Sequence, residues 1–260
     1  MGLAAISYDS APVLKDFAAR RKITYPLLSD PESRAIRAFG ILNETVKPGT
    51  PQYGIPYPGT FIVDRQGKVT IKYFEDDFRE RVSVSDILAG RFGQPVDASG
   101  GTVEAKQVTL TTAASTPVAR PGHRILLSLE LNLKPEMHVY APGVTGYIPI
   151  DWKLEETTVA RAHEFQYPAA RMMHLKAINE NVPVYLGRTT ITREITFGPE
   201  AALKPLVTPS GELILKGSLR YQACDDRVCY LPETVALEWR FRFEALDRER
   251  APAELQRKLR

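Results

Sequence analysis

Hydrophobic and polar positions change their period partway along this chain. GLAAISY (Gly2 to Tyr8) is a short apolar run ended by Asp9 and Ser10, which predicts a buried strand. A helix should follow, with Ser10 as N-cap, Pro12 in the first turn, and Val13, Leu14, Phe17 and Ala18 as one apolar stripe. YPLLSD is a short extended piece. DPESRAIRAFG repeats the helix grammar, with Asp30 capping, Pro31 at N1, Ile36 and Phe39 inward, and Gly40 at C′. TFIVD and VTIKYF then read as two strands joined by RQGK, with Gly67 in the turn, and a last helix is predicted around Val82 to Phe92. Strands alternating with helices in this way imply an α/β layer.

GQPVDASGGT (Gly93 to Thr102) is small, polar and glycine-rich, and marks a boundary. Beyond it the period shortens to two. VTLTTAA, RILLSLELNL, HVYAPG, IDWKLEE, PVYLGRTTITREITF, LILKGSLRYQA and ETVALEWRFRFEAL read as strands, and Val235, Leu237, Trp239 and Phe241 line one face. Roughly seven or eight strands without a long helix predict a β-sandwich. The closing DRERAPAELQRKLR reads as a charged, solvated helical tail. The organisation expected is a unit over residues 1–93, a linker over 94–102, a sandwich over 103–246 and a tail over 247–260.

Composition narrows the function little. The chain has 260 residues, 43% hydrophobic and 25% charged, which is ordinary for a globular protein with two domains. Its formal charge of +3 comes from 34 basic and 31 acidic residues spread along the sequence, which gives no basis for nucleic-acid binding. No apolar run approaches the roughly 18 residues of a membrane span, and the first residues do not read as a secretory signal.

The chemistry gathers at YQACDDRVCYLP (Tyr221 to Pro232), which holds both cysteines of the chain. Strand-like sequence on either side of DDRV predicts a hairpin in which Cys224 and Cys229 face each other, close enough for a disulfide. As a staple such a bond is weak, because closing so short a loop gives only about 2 kcal/mol. A metal site is poorly supported, since one C-x4-C pair supplies two ligands and His123, His138, His163 and His174 lack ligand-like spacing. No cofactor is expected. The stronger reading is a reactive pair at an accessible tip. Arg227 would favour a thiolate, Asp225 and Asp226 would oppose it, and Tyr221 and Tyr230 are placed to pack around the sulfurs or within the sheet.

Two resemblances bear on this reading. GLAAISYDSAPVLKDFAARRKITYPLLSDPESRAIRAFGI with PGTFIVDRQGKV resembles the latter part of the alkyl-hydroperoxide-reductase/thiol-specific-antioxidant and redoxin families, which have a thioredoxin fold. In those families a strand and a helix bearing the reactive cysteine precede this point. The resemblance therefore implies a truncated thioredoxin-like unit without its nucleophile. Peroxidase activity would require a cysteine in a missing amino-terminal segment, and such a cysteine could also exchange with the Cys224/Cys229 pair. Where peroxiredoxins carry an arginine before the G-T-F-like strand, this chain has Pro58, which either resembles the cis-proline of thioredoxin-type redoxins or is a loop proline like Pro48, Pro51 and Pro56.

YQACDDRVCYLPETVALEW and EMHVYAPG resemble the amino-terminal periplasmic domain family of the thiol:disulfide interchange protein DsbD. That resemblance implies an immunoglobulin-like sandwich with a redox-active pair, in which Cys229 exchanges and Cys224 resolves. It implies a periplasmic or other extracytoplasmic location, and as partners thioredoxin-like domains and periplasmic disulfide enzymes. It also implies a cap loop over the pair, placed here near Ala177 to Val182, with Ile178, Asn179, Glu180 and Asn181 as its candidates. The competing function is a partner-binding sandwich whose disulfide is inert.

Overall fold

A computed structural model of the chain describes residues 2–75, 77, 79–92, 100–155, 159–175 and 179–256. The chain divides into two compact units, Met1–Phe78 with Asp247–Arg260, and Arg79–Leu246. Most of the predicted linker, residues 94–99, lies outside the described residues. Among the described residues no helix is long and apolar enough to cross a membrane.

The first unit contains β1 (Ala5–Ser7), α1 (Ala11–Arg21), β2 (Leu27–Ser29), α2 (Arg34–Ala38), β3 (Gly59–Val63) and β4 (Val69–Phe74). Strands β1 and β2 pair in parallel, and β3 and β4 form the expected hairpin, with Gly67 at a positive φ of 80° in its turn. Phe39, Phe61 and Phe74 pack ring against ring, and Gly59 lies so close under Phe74 that a Cβ there would sit 2.3 Å from the ring. The N-cap of α2 is Ser33 rather than the expected Asp30, whose carboxylate instead accepts from the backbone N–H groups of Arg34 and Ile36 from just outside the helix. The helix itself starts three residues later than Pro31 at N1 would require.

Three further sequence expectations fail in this unit. β1 is not buried: Ile6 is 43% exposed, and among the described residues the strand pairs with β2 alone. The bond before Pro58 is trans, since the described residues contain no cis peptide. Tyr57 donates its N–H to the carbonyl of Ile41 and leads straight into β3, so no tight turn demands the cis form. The tail from 247 to 256 is not helical. Instead Asp247 and Glu249 extend to Arg21 and Arg20 of α1, and Pro252 disfavours helical backbone before it.

The second unit opens with β5 (Arg81–Val82) and α3 (Val84–Phe92), and continues through β6 (Thr102–Glu104), β7 (Val108–Ala114), β8 (Val118–Ala119) and β9 (His123–Leu133). It then runs through β10 (His138–Tyr140), β11 (Asp151–Leu154), β12 (Ala160–Gln166), β13 (Arg171–Leu175), β14 (Glu180–Leu186) and β15 (Arg188–Phe197). A short helix α4 (Glu200–Leu203) precedes β16 (Glu212–Tyr221), β17 (Ala223–Cys224) and β18 (Glu233–Phe243). Helix α3 packs against β9, and β5 pairs with it in parallel.

The expected sandwich is present, and its two main sheets are β12-β15-β9-β7-β6 and β11-β16-β18-β8. Alternate residues of β16 and β18, including Leu213, Leu215, Leu219, Leu237, Trp239 and Phe241, share one core with Leu127, Leu129, Leu131, Ile191 and Ile195. Phe197 meets Phe241 edge to face between the sheets, and the Trp239 indole N–H donates to the carbonyl of Ala113. A third sheet, β13-β14-β10-β17, branches from both. Gly187, at a φ of 58°, passes the chain from β14 to β15, while Gln222 separates β16 from β17. The single long strand predicted across PVYLGRTTITREITF is thus two strands in two sheets.

Trp239 is fully buried, stacked 5.5 Å from Trp152. Trp239→Ala is expected to cost about 3–5 kcal/mol, read as a lowered denaturant midpoint of the sandwich. A second test concerns Asp86 in α3, whose Oδ1 is buried without a hydrogen-bond partner. Burial, with Glu194 adding and Arg124 opposing, pushes its carboxyl up from 3.8 to about 7. Between those two values the folded protein holds a proton that the unfolded chain releases, so stability falls as pH rises through the window. Asp86→Asn should remove that slope, measured as the difference in unfolding free energy between parent and variant from about pH 4 to pH 7.

Candidate redox site

The β16–β18 ladder runs in strict register as far as Tyr221 opposite Glu233. There the chain leaves it. Ala223 and Cys224 pair instead with Val139 and His138 of β10, and the tip returns through an isolated bridge between Cys224 and Cys229. The two cysteines form a disulfide with their Cα atoms 4.0 Å apart. Facing cysteines at a tip is what the sequence predicted; the transfer of one of them to a different sheet is not.

That transfer makes the two sulfurs unequal. Cys224 is 1% exposed and packs with Tyr140, Val182 and Val184 in a small core of its own. Cys229 lies in the exposed stretch 226–231, beside Val228 and Leu231, two large apolar side chains open to solvent.

The tip is held by its own hydrogen bonds. The Asp225 carboxylate accepts from the backbone N–H groups of Arg227 at 2.8 Å and Val228 at 2.7 Å, and from the Tyr230 hydroxyl at 3.1 Å. These bonds, led by the one from Arg227, hold the Asp225 carboxyl below its usual range. Tyr230 N–H donates to the carbonyl of Ala223, and the Gln222 amide donates to the carbonyl of Tyr230. Arg227 and Tyr230 thus serve the turn through Asp225. Tyr221 belongs to the main core, where its hydroxyl donates to Glu233, and burial with that bond raises its pKa. Pro58 lies in the other compact unit.

Two aromatic residues that sequence reasoning did not single out stand at the disulfide. The Tyr140 hydroxyl is 3.7 Å from Cys224 Sγ and 3.8 Å from Cys229 Sγ, and in the bonded pair it is the donor. Burial raises its pKa, so it stays a neutral phenol. Tyr147 stacks on the Tyr140 ring at 4.4 Å and donates its own hydroxyl to Glu180 Oε2 at 2.8 Å. That bond, with burial, pushes the Tyr147 hydroxyl up to about 12.

The predicted cap loop is the turn of the β13–β14 hairpin. Ile178 lies outside the described residues, Asn179 holds a left-handed φ of 55°, and Glu180 and Asn181 begin β14. Asn181 meets His174 across the hairpin at 3.1 Å. Of these candidates Glu180 is the one tied to the sulfurs, through Tyr147 and Tyr140. EMHVYAPG stood out and its alternation places Tyr140 on the same face as His138, but Tyr147 lies beyond it and nothing in the motif tells which strand β10 will meet.

Residues 2–72 match the AhpC/TSA family. Alkyl hydroperoxide reductase E of Mycobacterium bovis is 42% identical over 65 residues, which are 24% of this chain and 38% of that protein. A putative peroxiredoxin of Mycobacterium tuberculosis is 31% identical over 74 residues, 28% of this chain and 46% of that one. The chain spans less than half the length of these curated relatives. Among solved structures, the N-terminal periplasmic domain of ScsB from Proteus mirabilis aligns with a TM-score of 0.40 at 14% identity, covering 55% of this chain and 51% of that one. Residues 105–239, more than half the chain and including both cysteines, match the family described as thiol:disulfide interchange protein DsbD, N-terminal. The chain therefore belongs to the DsbD N-terminal family.

Proposed function

We propose that the sandwich is a thiol–disulfide exchange module with oxidoreductase activity, in which Cys229 exchanges with the partner and Cys224 resolves. The observation that carries this reading is the inequality of the pair, with one sulfur at an exposed tip and the other buried beneath it. In the reduced domain the Cys229 thiolate attacks a partner disulfide, forming a mixed disulfide and releasing one partner thiolate. The Cys224 sulfur then attacks Cys229 Sγ, closes the internal bond and releases the second partner thiolate. The domain loses two electrons and two protons, and the partner gains them.

The partners that fit are other thiol–disulfide proteins, thioredoxin-like domains and periplasmic disulfide enzymes, whose reactive sulfurs must reach a projecting tip flanked by Val228 and Leu231. An extracytoplasmic location follows from the family, whose members work where disulfides persist. Thiol peroxidase chemistry would need a cysteine in a segment preceding residues 2–72, since both cysteines of this sequence lie beyond them.

Three outcomes are expected. After reduction, a limiting amount of iodoacetamide should label Cys229 well before Cys224, as read by peptide mass. In a graded thiol/disulfide buffer the pair should show a midpoint between about −280 and −120 mV, whereas a bond still closed below about −300 mV would make it a structural link. Cys229→Ser should abolish electron transfer to a disulfide substrate, and Cys224→Ser should accumulate the mixed disulfide; full transfer by Cys229→Ser would refute the assignment.

A further inference from the structure

His138 is the direct ladder partner of Cys224 across β10 and β17. Directly opposed residues of an antiparallel pair place their side chains on the same face with Cβ atoms about 4.5–5.5 Å apart. The imidazole is 1% exposed, and neither Nδ1 nor Nε2 has a hydrogen-bond partner. A buried polar ring left unpaired on both sides destabilises the fold and calls for an explanation. The position is moreover the one that faces the less accessible sulfur.

That sulfur needs help. Burial in apolar surroundings raises a thiol pKa, so reduced Cys224 is a poor nucleophile unless a base takes its proton. The neighbouring groups are otherwise engaged. Tyr140 is a neutral donor, Tyr147 is bonded to Glu180, and the Asp225 carboxylate already accepts from two backbone N–H groups and Tyr230. On β14 the residues sharing this face, Leu186 opposite His138 and Val184 opposite Tyr140, are apolar. Asp226 stands in the exposed part of the tip, so among the described residues His138 is the buried base that faces Cys224.

We infer that His138 accepts the proton of the Cys224 thiol for the attack that resolves the mixed disulfide, releases it to solvent once the internal bond has closed, and takes one up again when that bond is next reduced. This role rests on the exchange function proposed above. The proton passes from Cys224 Sγ to the imidazole, and the sulfur's electron pair forms the bond to Cys229 Sγ. The bond from Cys229 Sγ to the partner sulfur breaks, and that sulfur leaves with the electron pair and takes up a proton. Two electrons pass from the cysteine pair to the partner.

The surroundings suit both states of the ring. In the disulfide form burial lowers the His138 pKa, against the opposing charges of Asp226 and Asp225, and leaves the ring neutral and able to accept. In the reduced form a thiolate across the ladder supplies the missing partner, and the two aspartates favour the imidazolium. Tyr140, edge-on to the imidazole at 5.6 Å, donates toward the sulfurs and accompanies the same change of charge.

The test uses the reduced full chain and one equivalent of 5,5′-dithiobis(2-nitrobenzoate), an aromatic disulfide. Attack by Cys229 releases a first coloured thiolate and resolution by Cys224 releases a second. In His138→Gln the second release should slow roughly 100-fold relative to the first, and its pH profile should lose the inflection of the ring. A second release unchanged in rate and pH profile would overturn the role. A measurement without mutation guards against misfolding: the His138 ring, followed by NMR in the unmodified protein, should titrate at higher pH after reduction. A titration indifferent to the redox state would equally overturn it. Absence of any release from the unmodified protein would instead remove the exchange function itself, and this role with it.

Discussion

The redox site depends on one departure from regularity, the exit of β17 from the β16–β18 ladder to pair with β10. Had the ladder continued in register, Cys224 would oppose Tyr230, and both cysteines would sit on the tip of one two-stranded ribbon. Pairing with β10 instead lays Cys224 into the third sheet, under Tyr140 and against Val182 and Val184. The disulfide then joins a sulfur fixed in a core to a sulfur on a turn. A pair built this way has a direction, because a partner can approach only the exposed member.

The residues around the pair follow from the same exit. Once β17 lies beside β10, the face of β10 that carries His138 and Tyr140 becomes the floor of the site, and the β13–β14 hairpin on its other edge brings in Glu180. Tyr147 links that hairpin to Tyr140 by one stack and one hydrogen bond. Glu180 of β14 is thereby joined to the ring that touches both sulfurs.

Much of the scaffold was legible because burial imposes a period. β18 shows it best, since Val235, Leu237, Trp239 and Phe241 were readable as one face and are one face. β12 and β13 escaped because they are edge strands of their sheets, with mixed polarity in ARAHEFQ and RMMHL and no fully buried face to enforce alternation. The break at Gly187 was hidden inside an apolar run, since periodicity does not report a change of sheet. The facing cysteines could be read from the turn between two strands. His138 could not be placed beside them, because nothing in HVYAPG says which distant strand will be its neighbour; a register between β10 and β17 is a tertiary fact. Pro58 misled for a related reason, as its isomer is decided by the path of the chain and not by the residue.

The shortness of the cysteine loop, a weakness in a staple, suits a bond that opens and closes. Its closure contributes only about 2 kcal/mol, so reduction takes little from the fold. The sandwich does not rely on it, being held by the β16–β18 ladder and a core that includes both tryptophans. Nor does the tip rely on it for shape. With the sulfurs apart, the Asp225 cap, the bond from Tyr230 N–H to Ala223 and the brace from Gln222 to Tyr230 all remain available. The cysteines of the reduced state would then be kept facing each other by bonds that do not involve sulfur. In the exchange proposed above, resolution of a mixed disulfide would then be a step between prepositioned groups, with most of the entropic cost of bringing them together met by the fold.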